Sequence, residues 1–183
     1  PASYGNASHR IVANLRLGSL VDSEDRSLSN PDVFGNTSPD ETNALGDDNT
    51  GNDDEDGVTF TTPAGGGDNI IATVSVTGTS VQVCGWLDGG GDGVAGTINN
   101  QFDLGERQCT STSTGTVTFE WLVSSTLTQT YYSRFRVCTT PADCNVPTGA
   151  ASDGEVEDYV LTYNPTRATI GDFQVAQQDA DQV

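Results

Sequence analysis

Apolar residues along this chain come in short alternating runs rather than at helical spacing. Ile70, Ala72, Val74 and Val76 share one parity, as do Val117, Phe119, Trp121 and Val123. Tyr131, Ser133, Phe135 and Val137 form one face of another run, leaving Tyr132, Arg134 and Arg136 on the opposite face. Ile11 to Leu17, Val81 to Leu87 and Val156 to Tyr163 read as further extended stretches. Gly, Pro, Asn and Asp punctuate the pattern from Val58 onward, giving about seven or eight strands. No amphipathic helical period competes with them, so the expected fold is all-β, an antiparallel sandwich of the Ig-like or jelly-roll-like kind.

Two segments depart from this pattern. Residues 22–57 hold almost no apolar side chains and carry Asp22, Glu24, Asp25, Asp32, Asp40, Glu41, Asp47, Asp48, Asp53, Asp54, Glu55 and Asp56. Such a stretch cannot bury enough surface to offset its ordering entropy, so bound cations are expected to order it. At the other end the chain turns at Asn164-Pro165 and offers one more strand-like run, Ala168 to Ala176. Three readings of that run stand side by side: the first strand of a following domain, a strand donated head-to-tail to a neighbouring copy, or an edge strand folded back on its own domain. The expected organisation is a sandwich domain over 1–163, with 22–57 as long acidic loops, and a C-terminal strand or linker over 164–183.

The 183 residues suit one domain with an appendage, and the formal net charge of −19 changes what partners it can take. All seven basic residues are Arg. A surface this acidic repels nucleic acid and anionic membranes and attracts divalent cations. No apolar run reaches the length of a membrane span. The chain opens without an initiator Met or a signal sequence, which suits a processed leader or a trimmed chain. Cys84, Cys109, Cys138 and Cys144 form no C-x-x-C pair, and a single His makes a zinc site a poor fit. Disulfides, and export to an oxidising compartment, are expected instead. Of the three connectivities, Cys84 with Cys109 and Cys138 with Cys144 is expected, because each bridge then closes one local loop.

Calcium takes six to eight oxygens in irregular geometry, and Asp/Gly/Asn-rich loops supply them. Asp88-Gly89-Gly90-Gly91-Asp92-Gly93 resembles the first half of a calcium loop, which Asp103 and Glu106 could complete; it departs from an EF-hand at Gly90 and through the intervening 95–101. A second candidate joins Asp53, Asp54, Glu55 and Asp56 to Glu155, Glu157 and Asp158, with Asp22 and Glu24 as weaker contributors. On a strand Glu155 and Glu157 point one way and Asp158 the other, so one ion cannot take all three without a bulge. The alternative is a carboxylate network with Arg134 and Arg136.

One segment carries a resemblance. Ser152-Asp153-Gly154-Glu155-Val156-Glu157-Asp158-Tyr159-Val160-Leu161-Thr162 resembles, almost letter for letter, the motif that names the GEVED domain family of bacterial secreted and surface proteins. Ser3 to His9, Leu17 to Asp22, Asp53 to Val58 and Gly85-Trp86-Leu87-Asp88 recur in that order in such domains, so the resemblance covers 1 to about 163. It implies a β-sandwich-like module of a large extracellular protein, with acidic loops suited to calcium and no catalytic role.

Enzymatic readings fit less well. A glycosidase would use paired carboxylates but also a cleft lined with aromatics, and many of the thirteen Phe, Trp and Tyr sit on core parities. His9 stands alone and reads as a satisfied core or surface residue. Gly65-Gly66-Gly67 reads as a turn, and Asn6-Ala7-Ser8 and Asn36-Thr37-Ser38 match the glycosylation sequon by a pattern common by chance. The expectation is a non-enzymatic, secreted or surface-exposed structural module: a calcium-stabilised, disulfide-stapled subunit or stalk of a fibre or adhesin. It would partner copies of itself by strand donation from 168–176, or neighbouring domains. A glycan- or protein-binding accessory module is the second expectation, signalled by a platform of exposed aromatics such as Trp86, Tyr131 and Tyr132.

Overall fold

A computed structural model describes residues 4–5, 7–21, 36–37, 55–61, 69–91, 96–123 and 128–164. In chain order the strands are β1 (Ala7–His9), β2 (Arg16–Leu17), β3 (Asn36–Thr37), β4 (Val58–Thr61), β5 (Asn69–Thr77), β6 (Val81–Leu87), β7 (Arg107–Thr112), β8 (Gly115–Leu122), β9 (Gln129–Cys138), β10 (Gly149–Ala151) and β11 (Glu155–Tyr163). One helical turn, α1 (Pro141–Cys144), follows β9. Alternation places these strands well. Ile70, Ala72, Val74 and Val76 of β5 are all buried, as are Phe119, Trp121, Tyr131, Phe135 and Val137 of β8 and β9.

Two four-stranded sheets form the sandwich. The first has the order β11-β9-β6-β7, antiparallel throughout. In the second, β8 takes one edge of β5 along its length, while β4 and β2 share the other edge end to end. Between the sheets lies one apolar core, in which Phe119, Trp121 and Phe135 meet with centroids 5.9 to 6.3 Å apart. Burying each such side chain contributes about 2 kcal/mol, which makes this core the main stabilising term. The sheet-crossing connections β5–β6 and β7–β8 are clasped where Thr114 N donates to Gly78 O at 2.7 Å and Gly78 N donates to the Thr114 hydroxyl.

A third layer covers the outer face of the first sheet. It is the small sheet β10-β1-β3, with β1 parallel to β10, together with α1 and the 145–148 loop. Trp86, Cys84, Cys138 and Cys144 pack beneath it with Phe102. The first sheet is thus covered on both faces, which explains why β9 reads as buried from Ser133 to Cys138 on both parities. Both disulfides are those expected, Cys84–Cys109 and Cys138–Cys144.

The stretch expected as one strand over 11–17 is a correction. Only Arg16–Leu17 pairs with β5, and a tight turn bridging Val12 to Leu15, with Asn14 at φ +63°, occupies the rest. The short strands β1 and β10, unmarked by any alternation, are held instead by the third layer. The candidate strand 168–176 and the acidic residues Asp22, Glu24, Asp53, Asp54 and Asp92 lie outside the described residues.

Candidate functional site

The acidic segment 155–158 opens β11, the edge strand of the first sheet, and its two faces do different work. Inward, Glu155 accepts a hydrogen bond from Leu17 N and Glu157 accepts one from Gly57 N at 3.0 Å. Tyr159 continues the series: its hydroxyl accepts from Val58 N at 3.1 Å and donates to Glu157 at 3.0 Å. Burial beside Glu157 pushes the Tyr159 phenol well above its ordinary range. These three side chains therefore bond the backbone N–H groups of the β2–β4 edge, closing that side of the sandwich without a backbone ladder. On the opposite side Gln108 does the same, its amide exchanging hydrogen bonds with the backbone of Glu120. Gly57 admits the contact because a Cβ there would lie 2.7 Å from a Glu157 oxygen.

Outward, Asp158 forms a two-pronged ion pair with Arg134, both N···O distances 2.7 Å. Arg134 Nη1 also donates to Pro147 O at 2.6 Å and Gly5 O at 3.1 Å. Arg136, one position further along the same face, has no carboxylate partner among the described residues. Its N–H groups go to the carbonyls of Val146, Thr148 and Gly149 and, at 2.8 Å, to His9 Nε2. Arg136 can only donate, so His9 Nε2 is the acceptor nitrogen and Nδ1 carries the proton given to Asp153 O at 2.8 Å. Burial, and then the charge of Arg136, lower the His9 pKa to about 3. Burial likewise lowers Arg136, to about 10.

The three described carboxylate candidates of the 88–106 loop are also engaged. Asp88 is fully buried and accepts from the Tyr4 hydroxyl at 2.5 Å, Asn99 N at 3.0 Å and Asn100 N at 2.9 Å. Glu106 accepts from Gly89 N at 2.6 Å and Asp103 N at 2.9 Å. Burial pushes the Glu106 carboxyl up to about 7 despite those bonds. Asp103 is exposed and accepts from the Asn99 side chain at 2.8 Å. Gly90, Gly91, Gly96, Thr97, Asn99, Asp103, Gly105 and Glu106 line an open cleft of about 540 Å³.

Of the sequence-derived candidates, then, Glu155 and Glu157 share one face, Asp158 joins Arg134, and Asp88, Asp103 and Glu106 share one loop region. Asp56 stands apart, accepting from Ser19 N at 2.9 Å and Leu20 N at 3.4 Å, and Glu55 is half-buried. Among the described residues no three of His, Cys, Asp or Glu converge as they would on a metal ion. His9 is a satisfied core residue, one of the two settings its sequence reading allowed, while the contacts of Tyr4 and Gly154 are those that sequence reasoning missed. Gly154 has φ +103°, and a Cβ there would lie 1.7 Å from Val137 O and 3.0 Å from His9 Nδ1. Its position directly before the acidic run was the available signal.

No helix among the described residues is long and apolar enough to cross a membrane. Against known proteins, residues 82–162 match the model of the GEVED domain, the family the motifs resemble. That match spans β6 to β11 and contains both disulfides, both buried arginines and the acidic strand. No curated protein and no solved structure was found to match the chain.

Proposed function

We propose that this GEVED-matching chain is a structural module of an exported surface or matrix protein, stapled by its disulfides, stabilised by calcium and joined to copies of itself through residues 168–176. The observation that carries the reading is the use made of its buried ionisable groups. Glu155, Glu157, Arg134, Arg136 and His9 tie one layer of the module to another, and Asp158 fixes Arg134 from the neighbouring strand. Chemistry arranged this way confers rigidity and shape. Two disulfides support an oxidising compartment.

The calcium component rests on the cleft beside Asp103 and Glu106. Its glycine carbonyls, Asn99 and two carboxylates are oxygen donors of the kind calcium prefers. A divalent cation there favours the ionised Glu106, so calcium added near pH 7 is expected to release protons, measurable in weakly buffered solution. Absence of release, with no metal retained in equilibrium dialysis, removes calcium from the proposal.

Negative-stain electron microscopy in calcium, repeated after chelation, tests the assembly. Filaments that dissolve on chelation are expected. Monomers in both conditions would overturn self-assembly and leave an accessory binding module, which the open cleft favours. An aromatic platform does not support that second reading, because Trp86 and Tyr131 are buried and Tyr132 is half-buried.

A further inference from the structure

The two disulfides differ in how a reagent can reach them. Cys138 and Cys144 are both fully buried. Cys84 is buried too, but its partner Cys109, directly opposite on the edge strand β7, is exposed. On its other side Cys84 stands directly opposite Arg136 of β9. That guanidinium is held by carbonyls and by the neutral His9. The acidic groups whose charge acts on it, Asp143 and Asp158, are bound by Ser152 and by Arg134. Arg107, two residues before Cys109 on the same strand face, adds a second cation and donates to Asn145 O at 2.6 Å. The Asn145 side-chain oxygen lies 3.5 Å from each sulfur of the bridge. Turning that amide over presents its NH₂ to the same two atoms.

We propose that Cys84–Cys109 is a thiol-exchange site for low-molecular-weight thiols, with Cys109 as the sulfur attacked and Cys84 as the leaving thiolate. An incoming thiolate bonds to Cys109 Sγ, the Cys84–Cys109 bond breaks, and its electron pair stays on Cys84 Sγ. The product is a mixed disulfide on Cys109, with no net oxidation or reduction. Attack by Cys84 on that mixed disulfide expels the thiol and restores the bridge. A buried thiolate is ordinarily a poor leaving group, since desolvation raises its pKa. Here Arg136, a buried cation with no carboxylate of its own, is the countercharge that Cys84 acquires when the bridge opens, and the Asn145 amide supplies a donor. The other bridge has no exposed sulfur and stays out of the exchange. This inference stands whether or not the module assembles.

The test uses the folded, oxidised chain with reduced glutathione, trapping with iodoacetamide and peptide mapping by mass spectrometry. Glutathione on Cys109, alkylated Cys84 and an intact Cys138–Cys144 bridge are expected. A Cys109→Ser variant then leaves Cys84 as a single thiol, whose ultraviolet thiolate absorbance is expected to titrate below the free-thiol value of about 8.5. Asn145→Ala, which shortens a half-buried side chain at the end of α1, is expected to slow exchange roughly tenfold, a loss the size of one hydrogen bond to a charged group. Opening of both bridges together, adducts on the other cysteines, or a Cys84 titration at or above the free-thiol value would each overturn the proposal.

Discussion

The space between the two sheets and the contact between the first sheet and the layer outside it both bury side chains, yet they are built on different principles. Between the sheets, Ile70, Val74, Val83 and Phe135 are interchangeable in kind: any side chain of similar volume and apolarity would serve. Outside, Arg134, Arg136, His9 and Asp158 are held by directed bonds to named carbonyls and to one another. The first region tolerates repacking and loses stability in proportion to volume removed. The second is a polar network, in which losing one member strands the others. Fold class is therefore set by the inner region, and the position of the N-terminal strands by the outer one.

The sharpest way to separate the two is by truncation. Phe135→Ala leaves a cavity among Gly85, Trp121 and Phe119, and is expected to lower unfolding free energy by about 3–5 kcal/mol in a denaturant titration. Asp158→Ala strands the buried Arg134 and is expected to cost about 3 kcal/mol. The comparison is decided by the double replacement Arg134→Met with Asp158→Leu, expected to recover most of that loss. If the double variant is as unstable as the sum of the singles, the outer layer is ordinary packing and the distinction collapses.

Acid tests the outer layer next. The folded His9 pKa of about 3 lies below its ordinary 6.5, so the unfolded chain takes up the proton first. Its contribution is present above pH 6.5 and lost as pH falls toward 3, an acid-side decline that His9→Gln should flatten. Glu106 works in the opposite sense. Raised from 4.5 to about 7, it contributes fully below pH 4.5 and loses that contribution as pH rises through 7, so Glu106→Gln should remove the neutral-side decline. Thermal melts across pH resolve the two windows. Smallest is the closure of the β11 side: Glu157→Gln keeps an acceptor for Gly57 N but removes its charge, and should cost about 1 kcal/mol.

How far the sequence could be read follows the same division. Parity alone located β5, β8 and β9, because period-two burial leaves a mark at every second residue. Both disulfides were legible from loop economy, and the opposed directions of Glu155/Glu157 and Asp158 from strand geometry. What those carboxylates bond was not legible. Glu155 and Glu157 meet backbone N–H groups some hundred or more residues away, and a backbone donor leaves no letter in the sequence. His9 and Tyr4 were equally silent: each is a single residue whose partner, Arg136 or Asp88, is fixed only by the stacking of the third layer.

Gly154 carries one more consequence. A position where the left-handed backbone excludes most residues and a carbonyl excludes any β-carbon admits a single letter of the alphabet. The acids beside it perform tasks that a glutamine or asparagine could partly imitate. In a saturation library selected for folding, the row for Gly154 should come back empty, while the rows for Glu155, Glu157 and Asp158 return partial survivors. The acidic run catches the eye, but the information content of the segment is concentrated in the residue with no side chain.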